Sequence, residues 1–414
     1  MEDILECCCG LDIHKESIVA CLLKGPLEDG AKPQREMREF GTLSRDLLDL
    51  RSWLKAEDCR HVAMESTGIY WQPVYAVLEQ AFCDEMHLMV VNARHMKQVP
   101  GRKTDMRDAE WIATLLRAGL LKGSFVPERD IRDLRQYTRY RKALVRDITS
   151  QKNRIEKLLQ SSGFRLSSFL SDIFGSSGMA IMWQLVQVGF ITDQSLDLCL
   201  KARARRKASE ILSNLNGALS MPQRQLLKMQ LSHLTDLQEN LQEVEAQIRD
   251  DFMRFESSIE LLDSIPGIDK TAAYAILAEI GQDMSAFPTA QHICSWAGLA
   301  PGSHQSAKKK QRQRVTHGNN YLKTMLCEVA WVIAGQKKQY LSGWYWRLKQ
   351  RTDAKRAIVA LARKLLVIIY TMLKTNQLYN EDRFLERKKA SEQRRIGRMV
   401  NELTRLGFAV TPAS

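Results

Sequence analysis

Residues 4–25 read ILECCCGLDIHKESIVACLLKG: an apolar run ending in Gly-Leu-Asp, a polar break, and a second apolar run. Two short apolar runs flanking a tight polar connection predict a β-hairpin. Cys7, Cys8 and Cys9 lie inside the first run. Neighbouring strand residues point to opposite faces, so three consecutive thiols cannot close on one metal ion and read as small apolar residues of a buried strand. The chain holds nine cysteines with no C-x-x-C pair, which fits a reducing cytoplasm better than a disulfide framework.

Outward from this hairpin, REMREFGT at 35–42 offers a third strand, and LSRDLLDLRSWLKAE at 43–57 has helical spacing, with Leu43, Leu47, Leu50 and Leu54 on one side. HVAMEST at 61–67 reads as a strand, YWQPVYAVLEQAF at 70–82 as a helix, MHLMVVNA at 86–93 as a strand and DMRDAEWIATLLRAGL at 105–120 as a helix. Three strands, helix, strand, helix, strand, helix define a mixed α/β sheet domain over residues 1–128.

Residues 130–160 are helical, with Leu144, Ile148, Ile155 and Leu159 marking a seam. Between 223 and 258, Leu234, Leu237, Leu241, Val244 and Ile248 step by three and four, which is coiled-coil spacing. These helices pair with each other or across a dimer, and 129–258 is set apart as a helical coiled-coil segment. It contains an insertion at 161–222, rich in Ser, Leu and Gly, whose role the sequence does not reveal. Residues 259–380 read as a mostly helical domain, and 381–414 as a basic tail with partial order. AIVALARKLLVIIYTML from Ala357 is broken by Arg363 and Lys364 and reads as a buried helix, not a membrane span. The first residues, MEDILECCCG, lack the basic region of a signal peptide, so a cytoplasmic protein is expected.

The 414 residues carry a formal net charge of +13, which points to a polyanionic partner, nucleic acid first. Within that basic chain, GRKTDMRDAE at 101–110 places Asp105 and Asp108 one helical turn apart beside Arg102, Lys103 and Arg107. Asp12 ends the first strand and Glu65 the strand at 61–67, so the acids fall at strand ends and a helix start, where α/β sheets build their sites. Clustered carboxylates repel unless a cation holds them, and Mg²⁺ takes such oxygens together with phosphate. Two ions stabilise the attacking and leaving oxygens of phosphoryl transfer. His14 reads as a packing or phosphate contact, and Tyr70 and Trp71 as core aromatics or as surfaces that stack on bases or sugars.

Asp12, Glu65 in MESTGIYW and the pair in KTDMRDAEWIA resemble the Asp-Glu-Asp-Asp set of the insertion sequence 110 family, the bridge-RNA-guided DEDD transposases. That resemblance implies an N-terminal domain similar to RNase H and the RuvC Holliday-junction resolvases. It also implies that Asp12, Glu65, Asp105 and Asp108 bind a divalent metal, Mg²⁺ or Mn²⁺. It extends to LLDSIPGIDKTAAYAILAEIG and to AGLAPGSHQSAKKKQRQRVTHGNNYLKTML, which look like the family's transposase domain. IPGI also resembles a helix-hairpin-helix turn, although Asp269 stands where that turn has glycine. From Met284 to Cys327 there is no Asp or Glu, while Lys308, Lys309, Lys310, Arg312, Arg314 and Lys323 accumulate, as expected of a phosphate-facing loop. Ser306 falls where the family places its nucleophilic serine, with Ala307 and Lys308 after it where glycine or Ala-Gly is common. Arg312, Arg314 and Asn319 are candidate phosphate or RNA contacts.

The resemblance implies an RNA-guided DNA recombinase acting on donor and target DNA through a phosphoserine intermediate, with a structured non-coding RNA as partner. A homo-oligomer, dimer or tetramer, is expected, with its site composed across protomers. The alternatives are a metal-only junction-resolvase-like nuclease and a non-catalytic RNA- or DNA-binding protein.

Overall fold

The structure, a computed structural model, describes residues 3–28, 32–66, 68–82, 86–92, 108–201, 205–206, 208–213, 215, 217–301, 305–306, 309–310, 318–336 and 339–407. The side chains of 81, 82, 305, 306, 309, 310, 383, 384, 387–389, 391 and 392 also lie outside the description. Two compact units divide the chain, Met1–Val126 and Pro127–Ser414.

In the first unit β1 (Cys7–Ile13) and β2 (Ser17–Lys24) form the expected antiparallel hairpin, and β3 (Gln34–Gly41) adds to it antiparallel. After α1 (Ser44–Ala56), β4 (His61–Glu65) pairs parallel with β1, and after α2 (Trp71–Phe82), β5 (His87–Val91) pairs parallel with β4. The sheet order is β3-β2-β1-β4-β5. Both faces of β1 are covered. Cys9, Leu11 and Ile13 pack with Leu47, Leu50, Trp53 and Leu78 of α1 and α2. Cys8 packs on the opposite face with Ile112, Ala113 and Leu116 of α3 (Asp108–Arg117). The cysteines therefore alternate between two apolar layers as the strand period requires. Burial, helped by the neighbouring thiols Cys21, Cys8 and Cys7, pushes the Cys9 thiol well above its ordinary pKa, so it stays protonated and inert. Edge strand β3 carries Arg35, Glu36, Arg38 and Glu39, charges that oppose edge-to-edge pairing.

Leu43 departs from the apolar side expected of it. It is the residue before α1 and is exposed, while Asp46 reaches back to accept its backbone N–H. Arg117, 1% exposed, was not anticipated as a core residue. It pairs with Asp3 and donates to the carbonyls of Glu6, Gly25 and Pro26, tying the entry of β1 to the exit of β2.

In the second unit α4 (Arg129–Ser161) and α8 (Met221–Asp251) pack against each other within one chain. Arg141 meets Glu245, Gln151 meets Gln230, and Ser162 meets Gln223, so the pair runs antiparallel. The four seam residues read from the sequence are all buried. The segment between the two helices forms α5 (Ser176–Gln187), α6 (Asp193–Cys199) and α7 (Ala208–Ser213). Its Phe164, Ile181, Met182, Leu185 and Ile211 complete one apolar cluster with Ile155 and Leu159 of α4 and Leu227 and Leu231 of α8. The insertion is thus a folded cap on the hairpin of long helices.

Then come α9 (Glu256–Asp263), α10 (Lys270–Ile280) and α11 (Ala290–Trp296), the two-residue strands β6 (Gln305–Ser306) and β7 (Lys309–Lys310), α12 (Asn320–Gly335), α13 (Tyr340–Lys349) and α14 (Ala354–Thr375). In α14, Leu361, Leu365, Leu366 and Ile369 are buried. No helix among the described residues is long and apolar enough to cross a membrane. The tail forms α15 (Glu381–Arg405), whose Glu381 accepts the backbone N–H of Tyr340.

Candidate active site

Leu11 of β1 lies opposite Met64 of β4 in the parallel register, so the next step along both strands sets Asp12 beside Glu65. Leu11 and Met64 belong to the α1–α2 face; strand alternation therefore sends Asp12 and Glu65 to the face covered by α3. Gly10 lets α3 come close: a Cβ there would sit 2.3 Å from the Ala109 carbonyl oxygen and 2.4 Å from the Ala113 nitrogen. This contact lays the first turn of α3, with Asp108 at its head, over the end of β1. The electrostatics agree. Burial raises the Asp12 pKa, and the charges of Asp108 and Glu65 raise it further, while His14 opposes them.

His14 Nε2 is 3.2 Å from Asp12 Oδ2, so its place is beside an acid of the cluster. Trp71 packs as a core aromatic, edge-on to Tyr75 with ring centroids 5.7 Å apart, whereas Tyr70 is 41% exposed and is not core. Asp105, Arg102 and Lys103 lie outside the described residues. Among the described residues no three His, Cys, Asp or Glu side chains are gathered closely enough to hold one metal ion. The donor chemistry nonetheless suits a hard divalent cation, since Asp12 and Glu65 end neighbouring strands, Asp108 heads the helix beside them, and Asp12 is penalised for its charge.

Ser306 lies in the second unit on a hairpin where the sequence reads as a loop: β6 pairs antiparallel with β7, setting Ser306 opposite Lys309 and Gln305 opposite Lys310. Lys308, Arg312 and Arg314 lie outside the described residues. The neck of this segment is closed. A Cβ on Gly318 would meet the Gly298 nitrogen at 2.2 Å and the Trp296 carbonyl oxygen at 2.5 Å, so only glycine allows the approach. Asn319 donates its backbone N–H to the Trp296 carbonyl at 3.2 Å and accepts from Leu322 N–H at 3.0 Å, capping α12. Its amide nitrogen donates to Glu279 Oε2 at 2.6 Å. Asn319 therefore clamps the neck of this segment.

Glu279 is 2% exposed and was missed in the sequence. Arg139 grips it with two hydrogen bonds of 2.8 and 2.9 Å, and Arg135 lies 3.3 Å away. Burial lowers Arg135 to a pKa of about 10 against the pull of Glu279. The pair of arginines and the Asn319 amide satisfy a carboxylate that would otherwise be unpaired in the core. Glu279→Ala is expected to destabilise the second unit by about 3 kcal/mol, because it removes the buried carboxylate that the largely buried Arg135 and the partly exposed Arg139 share; denaturant titration of the full chain measures this.

Asp269 also has a structural task. Its carboxylate accepts the Ala272 N–H at 2.8 Å and caps α10, occupying the amide that a helix-hairpin-helix turn would offer to phosphate.

Known proteins match the chain along much of its length. The DEDD transposase family model of IS110 elements matches residues 9–163, and the model described as "Transposase IS116/IS110/IS902 family" matches residues 259–346. The chain belongs to the IS110 family of transposases. The pilin gene-inverting protein of Moraxella bovis is 34% identical over 124 residues, 29% of this chain and 38% of that protein. The chain thus spans well under half the length of that relative. The transposase of insertion sequence element IS1111A from Coxiella burnetii is 26% identical over 298 residues, 70% of this chain and 72% of that one. A 43.6 kDa protein of insertion element IS110 from Streptomyces coelicolor is 26% identical over 326 residues, covering 73% and 79%.

Proposed function

We propose that this chain is the recombinase of a mobile element, exchanging DNA strands through a serine-linked intermediate under the guidance of a structured non-coding RNA. The observation that carries this reading is the placing of Asp12 beside Glu65 at the ends of β1 and β4, with Asp108 and Glu65 near enough to raise the Asp12 pKa. The antiparallel β3-β2-β1 hairpins followed by parallel β4 and β5 fit an RNase H-like domain of the RuvC kind. Family membership and relatives named as transposases support DNA as substrate.

Asp12, Glu65 and Asp108, with Asp105, would hold the divalent cation, Mg²⁺ or Mn²⁺. Bound there, such an ion supplies Lewis-acid polarisation of a phosphate and neutralises its developing charge. The basic residues of the serine segment draw the DNA backbone in and stabilise the pentavalent phosphate. The Ser306 hydroxyl gives up its proton and attacks phosphorus; one P–O bond to deoxyribose breaks, and the freed sugar oxygen takes up a proton. Attack by a hydroxyl of the exchanged strand reverses these steps and releases the serine. The guide RNA carries the sequence information, and the protein reads backbone shape and charge. The working form is a homo-oligomer, dimer or tetramer.

The full chain, incubated with Mg²⁺, its flanking transcript and supercoiled donor and target plasmids, should become covalently attached to DNA. Mass spectrometry should place the nucleotide remnant on the peptide containing Ser306. Cut DNA with no protein attached would instead identify a metal-only nuclease. Binding without any cutting would identify a non-catalytic binding protein.

A further inference from the structure

Within the second unit, α4, α8, α10 and α12 surround a cavity of about 610 Å³, within the usual size of a small-ligand site. Ala143, Ile248, Ala275 and Met325 give it apolar lining. Its wall is charged: six Arg or Lys side chains face three Glu, an excess of three positive charges. Apolar lining beside an excess of cationic side chains selects a ligand that is apolar in one part and anionic in another.

Tyr321 supplies the flat surface. It lines the cavity, is 44% exposed, and lies under the Arg139 guanidinium at 4.2 Å from the ring centroid. The two hydrogen bonds from Arg139 to Glu279 fix that guanidinium plane, so the stack is formed before any ligand arrives. Lys142 and Arg146 are one turn apart on α4, and Arg249 faces them from α8. The ion pairs Lys142–Glu328 at 3.5 Å and Arg146–Asp147 at 3.9 Å are long and exposed, so a phosphate can displace them at little cost.

We propose that this cavity receives one unpaired nucleotide of a single-stranded nucleic acid, its base against Tyr321 and its phosphate among Lys142, Arg146 and Arg249. Stacking on an aromatic or guanidinium plane is how unpaired bases are held. A paired base cannot enter without leaving its duplex. The inference rests on the reading that the chain handles nucleic acid, and adds the place where it would sense an unpaired position.

Fluorescence anisotropy of the full chain with three labelled pentamers tests it: oligo-uridylate, oligo-thymidylate, and an abasic pentamer that keeps the phosphates. The base-bearing pentamers should bind about tenfold more tightly than the abasic one, an advantage that Tyr321→Ala removes and Tyr321→Phe retains. Lys142→Ala with Arg146→Ala should weaken all three. The ratio of uridylate to thymidylate affinity identifies RNA or DNA as the natural source. Equal binding of base-bearing and abasic pentamers, or indifference to Tyr321→Ala, overturns the proposal while leaving the nucleic-acid reading intact. A chain that binds neither pentamers nor its element's DNA ends overturns both.

Discussion

Ser306→Ala is expected to abolish the covalent protein–DNA adduct and to lower strand cleavage by on the order of 10⁴-fold or more, the usual scale for removing a nucleophile. Alanine lacks the oxygen that bonds to phosphorus, and no other group in the proposed chemistry replaces it. DNA binding should hardly change, since the segment's lysines and arginines supply the salt-dependent attraction. Ser306 opens from a two-residue strand paired with Lys309 and Lys310, and alanine is compatible with that pairing, so folding should survive. The decisive measurement is cleavage of supercoiled donor and target DNA beside wild type. Undiminished cleavage by the variant would exclude the serine mechanism and leave the carboxylates as the whole of the chemistry.

Asp12→Asn should separate activity from stability. The substitution keeps shape and removes one charge from a position where burial, Asp108 and Glu65 all disfavour it. Cleavage should fall by about 10²–10³-fold, the loss associated with one well-placed electrostatic contact at a reacting phosphate. Thermal midpoint in chelator should be equal or higher, because the repulsion among the carboxylates is relieved. Sites that hold like charges together trade stability for function, and this one should show the trade in a single variant. Retained recombination by Asp12→Asn would remove the carboxylate cluster from the mechanism.

The reasons some of this was legible in the sequence are physical. The strand at Cys7–Ile13 could be read because both its faces are covered, so the run is apolar up to Asp12. Asp12 interrupts that run at its end, which makes it visible. The long helices α4 and α8 announce themselves through repeated spacing over many turns. Their cap does not. Its helices are short, α6 spanning 7 residues and α7 spanning 6, too few turns for a period to emerge, and its apolar residues find partners only across the chain. Glu279 was invisible for the opposite reason. A single acid in an apolar helix looks like the solvent-facing residue of an amphipathic stripe, and only the third dimension brings Arg135, Arg139 and Asn319 to it. Asp269 was seen but read as a charge rather than as a cap, because its neighbour Ala272 advertises nothing.

The glycine contact between positions 298 and 318 makes the nineteen residues between them a cassette. Entry and exit nearly touch, so the helices on either side do not depend on the intervening chain for their spacing, and loop length there is nearly free in thermodynamic terms. The length and composition of this stretch can change without rebuilding the helices that hold its two ends. An engineer can exchange the stretch at its two glycines and leave those helices in place.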